Sequence, residues 1–144
     1  MAVYTKLDQK NIEKILSNYS IGKLDKFEGI EEGIENSNFL IWVDKKKYIL
    51  TIYEKRVKKE DLPFFSELMS SLNKSSFKCP KPILNNDKKA ITDFNNKKLM
   101  IVSFIEGRPK INLSPDNCKL IGIETAKMHE LTKNLKIQRR NDLS

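Results

Sequence analysis

The hydrophobic positions of this chain follow a period of about two in its first half and recur at helical spacing on either side of that region. Residues 39–43 and 48–53 are apolar in nearly continuous or alternating order, and residues 44–47 separate them as a polar turn. These two stretches predict a hairpin of antiparallel strands. Leu24–Ile30 precedes them and supplies a third strand.

Helical spacing of apolar side chains predicts three helices. The first covers residues 8–19, and the second covers residues 58–73 with acidic residues and a proline in its first turn. Ser114 followed by Pro115 is typical of an N-cap and the first helical position. The apolar side chains of this third helix are Leu120, Ile121, Ile123, Ala126, Met128 and Leu131.

Two short strands, residues 90–94 and 99–105, are predicted between the second and third helices. The order is therefore helix, three strands, helix, two strands, linker, helix, which is an α+β arrangement.

The joint between the first two strands reads GIEEGIENSN and combines glycines with amide and hydroxyl side chains. Glycine lets backbone N–H groups approach an anion without an intervening Cβ, and the polar side chains add donors. Glu31, Glu32 and Glu35 oppose a triphosphate unless they point outward or a metal intervenes. An ordinary loop has the same pattern. The candidate phosphate cradle consists of Gly29, Gly33, Asn36, Ser37 and Asn38.

The size and charge of the chain limit the number of domains and the classes of function that it can have. Its 144 residues, 39% of them hydrophobic, suit one domain and are too few for a two-lobed enzyme. The net charge of +8 comes mostly from lysines at turns and beside strands. Because no basic stripe with interleaved aromatic residues is present, we expect no nucleic-acid function, although the charge attracts phosphate ligands.

The cysteines and the N-terminal sequence indicate the cellular compartment of the protein. Cys79 and Cys118 lie far apart, with no Cys or His at metal-ligand spacing, which is typical of free thiols in a reducing compartment. The N-terminus lacks a basic segment followed by an apolar run, and no apolar segment reaches membrane length. We therefore expect a cytoplasmic protein that does not interact with membranes.

A family resemblance rests on seven segments that run through nearly the whole chain: MAVYTKL, GIEEGIENSNFLI, YILTIYEKRVKKEDLPFF, CPKPI, IVSFIEG, AKMHEL and RRNDLS. Through them the chain resembles the N-terminal part of the aminoglycoside-phosphotransferase-like kinases, and within them most closely the bacterial homoserine kinases. The resemblance implies a protein-kinase-like N-terminal lobe, a five-stranded antiparallel sheet with a packed helix, in residues 1–105. Residues 106–144 would be a linker and the first helix of a helical C-terminal lobe.

The resemblance implies that ATP is bound between the two lobes. The connecting segment 103–107 would bind adenine through the Ser103 carbonyl and the Ile105 N–H. From the residues alone, this segment is also compatible with an ordinary strand and turn.

Kinases normally hold the α- and β-phosphates with a strand lysine that pairs with a helix glutamate. Thr51 occupies the expected place here, so the role passes to Lys55 or Arg56, or to neither, and Glu67 is the nearest candidate partner. Lys55 and Glu67 are equally compatible with ordinary surface charges.

The resemblance also implies which catalytic motifs should follow the third helix. Phosphoryl transfer with Mg²⁺ needs a catalytic loop with a His-x-Asp core and a later metal-binding Asp, and neither follows His129. His129, a possible general base by residue type, then belongs to a structural helix. We expect an N-terminal fragment that contains no catalytic residue and no metal ligand and is inactive alone. In such a fragment the apolar third helix would be exposed and would favour self-association.

The full enzyme would use MgATP to phosphorylate the hydroxyl of L-homoserine, giving O-phospho-L-homoserine in threonine biosynthesis. A kinase for another small-molecule hydroxyl, of the choline or aminoglycoside type, and a non-catalytic nucleotide-binding module are the alternatives.

Overall fold

The computed structural model describes residues 5–31, 35–54 and 58–139. The element order is the one that the hydrophobic pattern predicts, and the α+β fold is confirmed. A short 3-10 turn, Lys59–Asp61, precedes the second helix. The elements are α1 (Gln9–Leu16), β1 (Leu24–Ile30), β2 (Asn36–Val43), β3 (Lys46–Tyr53), α2 (Leu62–Lys74), β4 (Ile91–Phe94), β5 (Lys97–Ser103) and α3 (Pro115–Thr132).

The five strands form one antiparallel sheet in the order β1-β2-β3-β5-β4. Two-residue turns close both short hairpins. Asp44 and Lys45 have φ angles of 46° and 65°, and Asn95 and Asn96 have φ angles of 46° and 61°. Positive φ at both central residues gives the turn a twist that matches the flanking strands, which fixes the register of each hairpin.

One face of the sheet is sealed by α1, and we call it the closed face; in β2 it includes Ser37, Phe39, Ile41 and Val43. The helix begins with a capping box in which the Asp8 carboxylate accepts from the Asn11 N–H. The buried apolar cluster on this face consists of Ile12, Ile15, Leu16, Tyr19, Phe39, Ile41, Val43, Leu50, Ile52, Phe94, Leu99 and Ile101.

The opposite face, which we call the open face, carries the alternate side chains of the same strands. Asn38 lies opposite Thr51 in the register of β2 and β3, and Leu40 lies opposite Ile49. Helix α2 covers the end of this face that contains Asn36. Leu40, Ile49 and Val102 on this face are half-buried, whereas Met100 is 1% exposed.

Several predicted boundaries are wrong by a few residues. The first helix ends at Leu16, where 3-10 type hydrogen bonds from Asn18 and Tyr19 replace the helical pattern. β2 begins at Asn36 and not at residue 39, and α2 begins at Leu62 and not at residue 58. The start of β2 is missed because its first residues are polar, and the sequence shows apolar alternation only from residue 39 onward.

Helix α3 leaves apolar side chains in solvent, as expected from the sequence. The exposed fractions are 60% for Leu120, 53% for Ile121 and 42% for Ile123. A cleft of about 770 Å³ separates α3 from the residues that follow α2. Arg139 connects the segment after α3 to the start of α2 through an ion pair of 2.8 Å with Asp61. Among the helices of residues 5–31, 35–54 and 58–139, none combines the length and the hydropathy that a transmembrane span requires.

Candidate nucleotide-binding site

The residues of the predicted phosphate cradle lie mainly in strands and not in a loop. Gly29 belongs to β1 and pairs with Phe39, while Asn36, Ser37 and Asn38 open β2. Gly33 lies outside the described residues. The strand conformation matters because successive side chains then point to opposite faces, so the three polar residues cannot act on the same side.

Ser37 belongs to the closed face and is fully buried. Its hydroxyl donates to Glu54 Oε1 at 2.7 Å and accepts the Thr5 N–H at 2.9 Å. Lys97 completes the cluster with an ion pair of 2.5 Å to Glu54 Oε2. The prediction that the Ser37 hydroxyl adds a donor to the cradle is therefore corrected: this side chain anchors the start of β2 from behind.

The anchor depends on an ionised Glu54. Burial raises the pKa of this carboxyl, whereas the hydrogen bonds from Lys97, Thr5 and Ser37 lower it. The hydrogen bonds outweigh the burial, so the pKa of Glu54 lies below its usual value. The carboxylate, with only 10% of its side chain exposed, is thus held charged at neutral pH. Its role is to tie β2, β5 and the N-terminal segment together.

Asn38 points to the open face and forms a pair with Thr51 on the adjacent strand. The Thr51 hydroxyl donates to Asn38 Oδ1 at 2.8 Å. Thr51 is the residue found where a strand lysine is expected. Because the amide oxygen of Asn38 accepts this hydrogen bond, its Nδ2 group is directed away from Thr51, and no hydrogen bond joins Nδ2 to another residue of the described part of the chain.

Asn36 lies on the same face, beneath α2. Its Oδ1 is buried and accepts no hydrogen bond within residues 5–31, 35–54 and 58–139. A cavity of about 420 Å³ beside it is lined by Tyr53, Phe65 and Met69, among others. Burial raises the pKa of Tyr53. The two cradle asparagines therefore have different surroundings: Asn36 is enclosed by α2, while Asn38 faces the uncovered part of the sheet.

An apolar row lies beside Asn38 on the open face. Leu40, Ile49 and Val102 are aligned across β2, β3 and β5 by the register of these strands, and all three are half-buried. A flat row of aliphatic side chains next to polar donors is a surface on which a planar heterocycle can pack.

The segment after β5 forms the edge of this surface. The Ser103 N–H donates to the Lys81 carbonyl at 2.9 Å, whereas the Phe104 N–H donates to the Lys47 carbonyl of β3 at 3.3 Å. The Ser103 N–H therefore points away from β3, toward residues 81–83, and the Phe104 N–H points toward β3. β5 ends at Ser103, so the connecting segment begins at the last residue of the strand.

Lys47 fixes this segment to β3. Its ammonium forms an ion pair of 2.7 Å with Glu106 and lies 5.1 Å from the centre of the Phe104 ring. Such exposed contacts each contribute little, about 0–1 kcal/mol, but together they define the path of the chain beyond Ser103.

The remaining predicted residues are not brought together in the described structure. Lys55 and Arg56 lie outside the described residues. Glu67 is on an exposed position of α2 and forms no ion pair with a described residue. His129 is exposed on α3. Within the described ranges, no group of three or more His, Cys, Asp or Glu side chains is placed to hold a metal ion.

Comparison with known proteins agrees with this architecture. The amicoumacin kinase in complex with AMP-PNP and Ca²⁺ superposes with a TM-score of 0.72 at 16% identity, over 92% of this chain and 42% of that one. Spectinomycin phosphotransferase in complex with ADP and spectinomycin gives 0.71 at 15% identity, over 97% of this chain and 44% of that one. The fold is that of the kinase-like N-terminal lobe of aminoglycoside-phosphotransferase-like enzymes.

Residues 26–143 match the phosphotransferase enzyme family, and the chain belongs to this family. A homoserine kinase of Bartonella tribocorum is 40% identical over 144 residues, which is all of this chain and 45% of that protein. The chain therefore spans a little under half the length of this curated relative.

Proposed function

We propose that this chain is the ATP-binding lobe of a homoserine kinase. In the whole enzyme, the γ-phosphate of ATP would be transferred to the hydroxyl of L-homoserine, giving O-phospho-L-homoserine for threonine biosynthesis in the cytoplasm. The observation that carries the proposal is the 40% identity to a homoserine kinase across all 144 residues. The open face supports it, because it combines an apolar row with the side-chain amide of Asn38.

In the proposed nucleotide site, adenine packs on the row formed by Leu40, Ile49 and Val102. Its edge pairs with the Ser103 carbonyl and the Ile105 N–H of the connecting segment. The phosphates extend toward the start of β2.

The phosphates would meet the residues of the cradle that do not point to the closed face. Asn36 and Asn38 offer side-chain amides, while Gly29 and Gly33 offer backbone that no side chain shields. Ser37 contributes only its backbone. Lys55 and Glu67 keep their proposed role as an ion pair near the phosphates.

Mg²⁺ would accompany ATP, because phosphoryl transfer needs a cation that offsets the charge of the β- and γ-phosphates. We assign no metal ligand and no catalytic base to this lobe. We propose that these groups and the homoserine pocket belong to the C-terminal lobe, so the 144-residue chain alone should not turn over.

A kinase for another hydroxyl substrate is the second candidate. It is favoured by the fold comparison, since the matched structures are a kinase of amicoumacin and a phosphotransferase of spectinomycin. A non-catalytic nucleotide-binding module is the third, and would use the same open face without transfer.

The test is ADP release by the natural protein that carries this chain, with L-homoserine, choline and an aminoglycoside supplied separately. Release that depends on homoserine alone supports the proposal, and the isolated 144-residue chain serves as the inactive control. Release with choline or the aminoglycoside instead would establish the second candidate. Nucleotide binding without release would establish the third.

A further inference from the structure

We propose that Thr51, at the position where a strand lysine is expected, is a positioning residue. It orients the Asn38 side-chain amide so that this uncharged group donates to a phosphate oxygen. The inference rests on the proposed nucleotide site and deepens it, because it states how the phosphates are held without a cation from the middle of β3.

The position of this pair in the sheet is the first argument. The register places Asn38 between Ile30 of β1 and Thr51 of β3, and Thr51 is followed by Met100 of β5. Met100 is 1% exposed. A polar pair is therefore inserted in a row whose other members are apolar, on the face that holds the proposed adenine row.

The direction of the hydrogen bond is the second argument. The Thr51 hydroxyl donates to Asn38 Oδ1 at 2.8 Å, so the acceptor end of the amide is used within the sheet. The donor end, Nδ2, is left without a partner among the described residues. Among the described residues, Asn36 Oδ1 and not Asn38 Nδ2 is a buried atom without a partner, so Nδ2 is open to water, and an acceptor on a bound ligand would take the place of that water.

The chemistry of the ligand follows from this geometry. Two N–H groups of an amide can donate to phosphate oxygens but cannot neutralise their charge. Without Thr51, the Asn38 amide could rotate and present its oxygen to the phosphate, which would be repulsive. Threonine suits the positioning role because its β-branched side chain is restricted in χ1.

The first experiment observes Asn38 directly in the unmodified 144-residue chain. The side-chain amide signals of Asn38 and the backbone amide of Ile105 are followed by NMR during titration with AMP-PNP. We expect both to shift along the same saturation curve, because one nucleotide contacts the connecting segment and the cradle together.

The second experiment measures the affinity for AMP-PNP by calorimetry in matched variants. Thr51→Val keeps the shape of the side chain and removes the hydroxyl, and should weaken binding by roughly 3- to 10-fold, the effect of one lost hydrogen bond. Thr51→Ser should restore binding to within about 2-fold. Thr125→Val, on an exposed position of α3, is the control and should bind as the parent chain does.

The outcomes separate the positioning role of Thr51 from the nucleotide site on which it rests. A shift of Ile105 with no shift of the Asn38 side chain, or a Thr51→Val variant that binds like the parent, would overturn the positioning role and leave the nucleotide site intact. An AMP-PNP titration that moves neither signal would overturn the site and the inference together. Asn38→Asp adds a charge test, and should weaken binding more than Thr51→Val.

Discussion

The two faces of the same five-stranded sheet are built from alternate residues and have opposite properties. On the closed face, Ile41, Val43, Leu50 and Ile52 are 0% exposed and pack under α1. On the open face, most of the corresponding positions are half-buried and include amide and hydroxyl groups, although Met100 is 1% exposed. The closed face therefore contains most of the buried apolar core, and the proposed ligand groups lie on the other face.

Ser37 and Asn38 illustrate this division at the level of single residues. They are adjacent in the sequence and similar in polarity, yet one hydroxyl is consumed by Glu54 and Thr5 while the neighbouring amide faces outward. A polar residue at the start of a strand can thus stabilise the strand or serve a ligand, depending only on its parity in the strand.

The largest expected effect comes from a matched pair of truncations on the two faces. Leu50→Ala removes a fully buried side chain and should lower the free energy of unfolding by about 2–5 kcal/mol. Leu40→Ala should cost much less, because Leu40 is already partly in solvent, but should weaken AMP-PNP binding. Urea denaturation and calorimetry measure the two quantities. Equal losses of stability in both variants would remove the distinction between the faces.

Glu54→Gln probes the anchor behind the cradle. The change keeps the size of the side chain and removes the charge that Lys97 and the hydroxyl donors stabilise, so the free energy of unfolding should fall by about 1–3 kcal/mol. Glu130→Gln in the exposed pair with Lys133 is the matched control and should stay within about 0.5 kcal/mol. A variant at Glu54 as stable as the control would show that the cluster does not hold β2.

The pH dependence of stability tests the same carboxyl without a large structural change. Because the folded pKa of Glu54 lies below its unfolded pKa, its contribution is present above the unfolded value and disappears as the pH falls through the folded value. Stability measured from about pH 6 down to about pH 3 should therefore fall less steeply in Glu54→Gln than in the parent chain. Parallel pH profiles would contradict a lowered pKa.

The smallest effect on stability is expected on α3. Replacing Leu120 and Ile121 with Gln should change the free energy of unfolding by no more than about 0.5 kcal/mol, since both side chains are mostly in solvent. The same change should reduce any self-association, measured by sedimentation at several concentrations. A monomeric parent chain would exclude self-association through this helix, and a large loss of stability would show that these side chains are packed.

The sequence predicts the architecture well, because the spacing of apolar residues and the residue types at turns and caps determine where the helices and strands lie. The turn of the first hairpin at residues 44–47, the capped start of α3 and the order of the five strands along the chain follow from local patterns. The exposure of apolar residues on α3 was also expected, since the resemblance implied that this helix normally packs within a second lobe.

The candidate site was only partly predictable. The apolar alternation predicts a strand only from residue 39, which leaves Ser37 in the cradle loop; because β2 begins at Asn36, Ser37 instead shares the closed face with the buried Phe39. The Thr51–Asn38 pair and the Glu54–Lys97 pair depend on strand register, which joins residues 13 and 43 positions apart and leaves no local signal.

The central claim, that the open face binds a nucleotide, is tested most directly by hydrogen–deuterium exchange of the chain with and without AMP-PNP. The claim predicts slower exchange at the start of β2 and in residues 103–107, with α1 and α3 unchanged. Protection confined to α3 or to the lysine-rich turns, or no change at saturating nucleotide, would contradict it.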